Sequence, residues 1–166
     1  MGITSVMKKA LGSQPDENGQ DLLKTLKTEH DEVKGLLSDL DKAETAAQRK
    51  GLVKKIKSAL VPHTKAEEKV LYSALIAVKD KEAQTDGHEG NIEHDLAART
   101  LQKLAGISSA TSAEHIAAAK VLRELVEHHI REEESNVWSD AKKHFSQEDR
   151  VAMNRRYLKA KAQVRV

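Results

Sequence analysis

Apolar residues recur every three or four positions along most of the chain, which is the spacing of amphipathic helices. The first such stripe begins near Asp21 and includes Leu23, Leu26, His30, Val33, Leu37 and Leu40. The second runs from about Ala46 to Lys79 and includes Leu52, Ile56, Ala59, Leu60, His63, Glu67, Val70, Leu71, Ala74 and Val78. The pattern therefore predicts two long helices whose apolar faces also carry polar side chains.

Two further long helices and a short one are predicted in the second half of the chain. The stretch DKEAQTDGHEGN interrupts the pattern, so a third helix is expected from about Asp86 to Leu104, with inward positions His94, Ala97, Ala98, Leu101 and Leu104. Thr111 and Glu114 form a capping box for a fourth helix that ends near His144. Its inward positions are Ala118, Val121, Leu122, Leu125, Val126, His129, Glu133 and Val137. SQED at 146–149 can cap a fifth helix.

Pro62 lies inside the second helical stripe. Proline lacks a backbone donor and crowds the carbonyl four residues earlier. We therefore expect a kink or a local break in the second helix at this residue.

Four long helices with short connections predict an all-α protein, an antiparallel up-down four-helix bundle over residues 20–145. Residues 146–166 are expected to form an additional helix that packs on the bundle or extends from it. Residues 1–19 contain glycine, proline and asparagine in GSQPDENG and are expected to be a flexible lead-in. An apolar fraction of 39% with only 2% aromatic residues fits packed amphipathic helices better than a sheet.

Composition excludes several classes of site and partner. The chain has no cysteine, so disulfides, thiolate catalysis and iron–sulfur clusters are excluded. Its formal charge is +2 although 33% of the residues are charged, and nothing requires a nucleic-acid partner. No apolar run is long enough to predict a membrane span or a signal peptide, so a cytoplasmic location is expected. The sequence leaves the oligomeric state open.

One polar phrase occurs twice. PHTKAEEKVLY at 62–72 and HHIREEESNVW at 128–138 each place a glutamate four residues after a histidine and an aromatic residue nine after it. Residues four apart share a helix face, so His63 and Glu67 point to one place, as do His129 and Glu133. The spacing alone is weak evidence, because His128–Glu132 and His144–Glu148 share it.

The positions of the helix connections add a second argument. In an antiparallel bundle, two residues lie at one height when the turn falls midway between them. The predicted turns fall midway between successive members of one inward set: His30, His63/Glu67, His94 and His129/Glu133. Buried imidazoles and carboxylates are costly without partners, and a pair of metal ions would supply them. Mixed imidazole and carboxylate ligands suit iron, manganese or zinc.

The order of these histidines and glutamates resembles the hemerythrin-like family, also called the HHE cation-binding domain. HTKAEEKVLY and EHHIREEESNVW are the best-matched stretches, and the resemblance spans roughly residues 20–145. It implies two non-haem iron ions with oxo or hydroxo bridges, in a centre where oxygen, hydrogen peroxide or nitric oxide meets an open position. The metal ligands it implies are His30, His63, Glu67, His94, His129 and Glu133.

The chain departs from the oxygen-carrying members of this family. It has Ala98 where they have a second third-helix histidine, and Glu133 and Glu134 where they end with an aspartate five residues after the last histidine. These departures weaken the case for oxygen carriage and favour peroxide or oxygen chemistry, such as catalase, peroxidase or ferroxidase-like activity. Iron buffering or sensing without turnover is the alternative. Additional ligands or supporting groups are Tyr72, Glu68, Glu93 and His128.

The other polar residues near the motif are assigned minor roles. His115 is expected to be structural, and His88 and His144 are expected at the surface. Glu132 and Glu134 are expected to be solvated.

Overall fold

The computed structural model describes residues 19–166, and every regular element in that range is helical. The elements are α1 (Leu22–Lys42), α2 (Ala46–Glu67), a first π turn (Glu68–Tyr72), α3 (Ser73–Ala77), α4 (Lys81–Gly106), α5 (Ala113–Glu132), a second π turn (Glu133–Val137), α6 (Trp138–His144) and α7 (Gln147–Ala162). The all-helical prediction is confirmed for these residues. The flexible segment predicted at 1–19 lies outside them, apart from Gly19.

Side-chain caps set where the helices begin. Asp21 accepts a hydrogen bond from the backbone of Leu23 and starts α1. Ser146 and Asp149 form the predicted capping box of α7. The predicted Thr111 cap is wrong by one residue, because the side chain of Ser112 accepts from the backbone N–H of His115.

The interruption predicted at residues 80–91 is shorter than expected, because only residues 78–80 separate α3 from α4. Asp80 caps α4 through the backbone N–H of Glu82, so the helix begins at Lys81 instead of near Asp86. The glycines in this stretch serve close packing. A Cβ on Gly90 would lie 2.5 Å from the ring of Tyr72, and one on Gly87 would lie 2.9 Å from the side chain of Ile76.

The second helix stays helical through Pro62, so a local break there is wrong. The departure from α geometry comes later, in the first π turn, and a second π turn follows at the end of α5. A π turn closes over five residues instead of four. Tyr72 lies five residues after Glu67 and Trp138 five after Glu133, so both aromatic residues return to the face of the preceding glutamate.

Two apolar clusters fill the interior. One includes Leu22, Leu26, Leu71, Leu75, Ala141, Met153 and Tyr157. The other includes Val33, Leu37, Ile56, Leu60, Leu101, Leu122 and Val126. Along the chain, His30, His63 and His94 lie between residues of the two clusters, and His129 lies between Val126 and Ile130 of the second cluster. Val121 and Ala98, predicted inward, are exposed.

The four long helices contact one another in a closed ring. α1 contacts α2 and α5, and α4 also contacts α2 and α5. α7 packs against α1, α2 and the first π turn. This ring is consistent with a hemerythrin-like helical bundle, while the antiparallel order and the boundaries at 20 and 145 remain predictions. Among residues 19–166, no helix is long and apolar enough to cross a membrane.

Candidate metal centre

The structure brings the predicted histidines and glutamates together in two overlapping groups. His30, His63 and Glu67 form one group, and Glu67, His94 and His129 form the other. Within each group, one potential ligand atom of every residue lies within 4.8 Å of the others. All five side chains are buried, and Glu67 belongs to both groups.

Each glutamate lies between one histidine of each group. A carboxylate oxygen of Glu67 lies 3.3 Å from Nε2 of His63 and 3.5 Å from Nε2 of His94. An oxygen of Glu133 lies 3.3 Å from Nε2 of His30 and 3.4 Å from Nε2 of His129. Glu133 thus joins the five residues of the two groups.

The carboxylates suit a metal pair because hydrogen bonds do not satisfy them. Glu67 and Glu133 are 0% and 1% exposed. Among the described residues, neither oxygen of either carboxylate has a hydrogen-bond partner, and Nε2 of His30 has none either. Buried carboxylates that lack hydrogen-bond partners are costly to the stability of the fold. Divalent cations between them and the imidazoles would relieve that cost.

A second carboxylate supports the outer nitrogen, Nδ1, of each of the four inward histidines. The Nδ1–carboxylate distances are 3.0 Å for His30–Glu134, 2.9 Å for His63–Glu29, 3.3 Å for His94–Glu68 and 2.7 Å for His129–Glu93. A carboxylate that accepts from Nδ1–H fixes the ring and leaves Nε2 as the nitrogen free to bind metal.

These supporting carboxylates follow an order that sequence reasoning overlooked. Each is the chain neighbour of an inward residue: Glu29 precedes His30, Glu93 precedes His94, Glu68 follows Glu67 and Glu134 follows Glu133. Each acts on a histidine of the next helix around the ring. The sequence signal for these groups was a glutamate directly beside an inward residue, as in EH at 29–30 and 93–94 and in EE at 67–68 and 133–134.

Some predicted roles therefore change. Glu134, expected to be solvated, is 24% exposed in its side chain and bonds to His30. Glu68 and Glu93 lie at the Nδ1 atoms of histidines and away from the Nε2 cluster. The side chain of His128 is 54% exposed, and its Nε2 lies 3.4 Å from a carboxylate oxygen of Glu93.

The two aromatic residues of the repeated phrase take different positions. The Tyr72 hydroxyl lies 3.4 Å from Nε2 of His129, and its ring centre lies 5.2 Å from that of His94. Trp138 instead stacks on His30 at 6.0 Å. Burial raises the pKa of Tyr72 well above its usual value, and the negative charge of Glu133 adds to this effect. The phenol is therefore a proton-bearing donor beside one of the two groups.

Neighbouring carboxylates raise the pKa values of two of the inward histidines. Burial alone would lower the pKa of His63, but Glu67 and Glu29 outweigh it and raise the pKa to about 10. Burial is likewise outweighed at His129, where Glu133 and Glu93 raise the pKa to about 10. Without metal, the carboxylates therefore hold protons on these imidazoles, and a bound cation would displace them.

Two small cavities adjoin the Nε2 cluster. One, of about 10 Å³, is lined by the histidines and by apolar residues such as Val33, Leu60 and Ile130. The other, of about 20 Å³, runs from Tyr72, His129 and Glu133 towards the acidic side chains Asp86, Glu89 and Glu132. Each is large enough for about one water-sized molecule.

The remaining histidines lie away from the cluster. His115 is buried and accepts a hydrogen bond from Arg49, a structural contact as predicted. His144 pairs with Asp80 at the start of α4, and His88 is exposed.

Comparison with known protein families identifies the family to which most of the chain is similar. The family described as the hemerythrin HHE cation binding domain matches residues 21–141. Neither the curated proteins nor the solved structures give a match.

Proposed function

Because the chain belongs to the hemerythrin HHE cation-binding family, we propose that it holds two iron ions that react with a small oxidant or ligand: hydrogen peroxide, oxygen or nitric oxide. His30 and His63 would bind one ion, and His94 and His129 the other. Glu67 and Glu133 would contact both ions.

The observation that carries this proposal is the shared position of the two glutamates. Each glutamate has a carboxylate oxygen that lies within 3.5 Å of one histidine of the first group and of one histidine of the second. One isolated cation site would need only one group. Four imidazoles with two carboxylates between them would suit iron, with manganese and zinc as the alternatives. Bound iron would supply electron transfer to or from the reactant.

The cavities support a small reactant. They measure about 10 and 20 Å³, so they suit a diatomic or peroxide molecule and exclude an ordinary organic substrate. The apolar cavity suits an uncharged gas. The polar cavity has carboxylates at its outer part and is the more suitable path for water, protons and cations.

The chain's own residues have distinct tasks in this proposal. The four supporting carboxylates hold Nε2 of each histidine inward. Tyr72 keeps its proton and places an O–H donor at the inner end of the polar cavity, where it can hydrogen-bond to a reactant. The surrounding apolar clusters exclude bulk water.

Rapid mixing of the iron-loaded protein with hydrogen peroxide, with oxygen and with nitric oxide, each in a separate experiment, tests the proposal. We expect an optical change within the mixing experiment, and peroxide consumption slowed roughly tenfold or more in Tyr72→Phe at unchanged iron content. A wild-type protein that binds two irons but changes with none of the three reactants would overturn the reactive role and leave iron buffering.

A further inference from the structure

The C-terminal helix α7 reaches the candidate metal centre although it lies beyond residues 21–141, the part that the family match covers. Tyr157 of α7 is 0% exposed. Its hydroxyl donates a hydrogen bond to Glu29 and lies 3.0 Å from Nδ1 of His63. The phenol therefore closes a three-way network with the histidine and its supporting carboxylate.

A second residue of α7 holds the same carboxylate. Nζ of Lys161, one helical turn after Tyr157, lies 2.8 Å from Oε1 of Glu29. The other oxygen, Oε2, receives Tyr157 and His63. Both oxygens of Glu29 are thus fixed, and two of the three groups that fix them come from α7.

The other three supporting carboxylates lack this arrangement among residues 19–166. Glu93 receives the exposed His128, Glu68 receives the exposed Lys65, and Glu134 lies 3.7 Å from Lys27. No tyrosine hydroxyl bridges any of them to its histidine. The group containing His63 is therefore braced by α7, whereas the group containing His129 borders the polar cavity.

We propose that Tyr157 is a positioning residue that, through Glu29, fixes His63 and makes the two metal positions unequal. The His30–His63–Glu67 position is the tighter one, and the Glu67–His94–His129 position is the exchangeable one. This inference rests on the proposed two-metal centre. It assigns a role in metal binding to α7, which lies outside both copies of the repeated phrase.

Anaerobic titration of the metal-free full chain with Fe²⁺, in which calorimetry measures the heat of binding, tests the inference. We expect two binding phases in the wild type. Tyr157→Phe and Lys161→Met should weaken the tighter phase about tenfold to a hundredfold, the usual effect of losing a group that orients a metal ligand. The weaker phase should stay within about twofold.

Two matched variants serve as controls. Lys159→Met removes an exposed lysine of the same helix and should change neither phase. Glu93→Gln removes the carboxylate behind His129 and should weaken the other phase instead. Circular dichroism of the metal-free variants identifies any that fail to fold, and Tyr157→Phe, which keeps the buried ring, is the most conservative test.

The outcomes separate the two proposals. A wild-type chain that binds one ion or fewer contradicts the proposed two-metal centre itself. If the wild type binds two ions but Tyr157→Phe leaves both binding phases unchanged, or weakens both equally, only the positioning role is overturned. A loss confined to thermal stability would overturn it too, because it would show that Tyr157 only packs.

Discussion

The Nε2 atoms of His94 and His129 lie 3.0 Å apart, although the residues are 35 positions apart in the chain. Two imidazole lone pairs repel at this distance unless a proton or a cation lies between them. Their outer nitrogens are both held by carboxylates, Glu68 and Glu93. The rings therefore cannot turn away without losing those bonds, and the pair is preorganised for one metal ion.

Replacing one member of this pair should remove one ion and spare the other. His94→Ala leaves His30, His63 and Glu67 intact, so bound iron should fall from two per chain to about one. Metal analysis of protein loaded anaerobically and then desalted measures this. His88→Ala, which removes an exposed histidine of the same helix, should keep two ions. Unchanged iron content in His94→Ala would show that His94 binds no metal.

The stability of the metal-free protein should depend on pH in two directions. Folding raises the pKa of His63 and His129 from 6.5 to about 10, so their contribution is complete below pH 6.5 and is lost as the pH rises towards 10. Burial opposes ionisation of Glu29, but its bond to His63 prevails and lowers its pKa from 4.5 to about 2. Its contribution is therefore lost as the pH falls from 4.5 towards 2.

Urea denaturation across this range measures the effect. The midpoint of the metal-free protein should be highest between about pH 4.5 and 6.5. Metal binding should tighten as the pH rises, because fewer protons compete for the imidazoles. A metal-free midpoint that rises steadily from pH 6.5 to 9 would contradict the assigned pKa directions.

Gly90 should be required for the position of Tyr72. A Cβ at Gly90 would lie 2.5 Å from the Tyr72 ring, so Gly90→Ala must displace it and should destabilise the protein by about 1–3 kcal/mol. Gly35→Ala, whose added Cβ would meet no packing neighbour within 4 Å apart from its own helix backbone, should be stabilising by about 0.5–1 kcal/mol. Thermal denaturation compares the two, and equal effects would show that the Gly90 contact is not restrictive.

The acidic side of the polar cavity should speed the entry of cations. Burial and then the neighbouring carboxylates of Asp140 and Glu89 raise the pKa of Asp86, which indicates uncompensated negative charge. Asp86→Asn with Glu89→Gln should slow Fe²⁺ loading roughly threefold to tenfold at low salt, with a smaller effect at high salt.

A control of equal charge separates this local effect from net charge. Glu32→Gln with Asp39→Asn removes two exposed carboxylates of α1, outside the cavity lining. Stopped-flow loading should distinguish the two double variants. Equal rates in both would show that the cavity is not the path of entry.

Sequence periodicity was sufficient to predict that the long helices exist and which residues of the motif face inward. The reason is that buried residues of one helix face, apolar or polar, recur every three to four positions. Periodicity could not place the start of α4, since glycines usually weaken helices and their packing on Tyr72 becomes visible only in three dimensions. The local break expected at Pro62 is absent because tertiary packing tolerates the lost hydrogen bond, whereas a kink there stays a prediction.

The supporting groups were harder to predict than the inward ones. Glu134 lies next to an inward residue, yet its partner His30 is 104 positions away in the sequence and belongs to another helix. Tyr157 belongs to a helix whose apolar pattern indicates only packing. Such contacts depend on how helices meet, which no spacing within one helix records.

The central claim is that one chain holds two metal ions between four histidines and two glutamates. Metal analysis of the wild-type protein, loaded with Fe²⁺ without oxygen and desalted, tests it most directly. We predict two irons per chain, and about one in His94→Ala. One iron or fewer per wild-type chain under these conditions would contradict the claim.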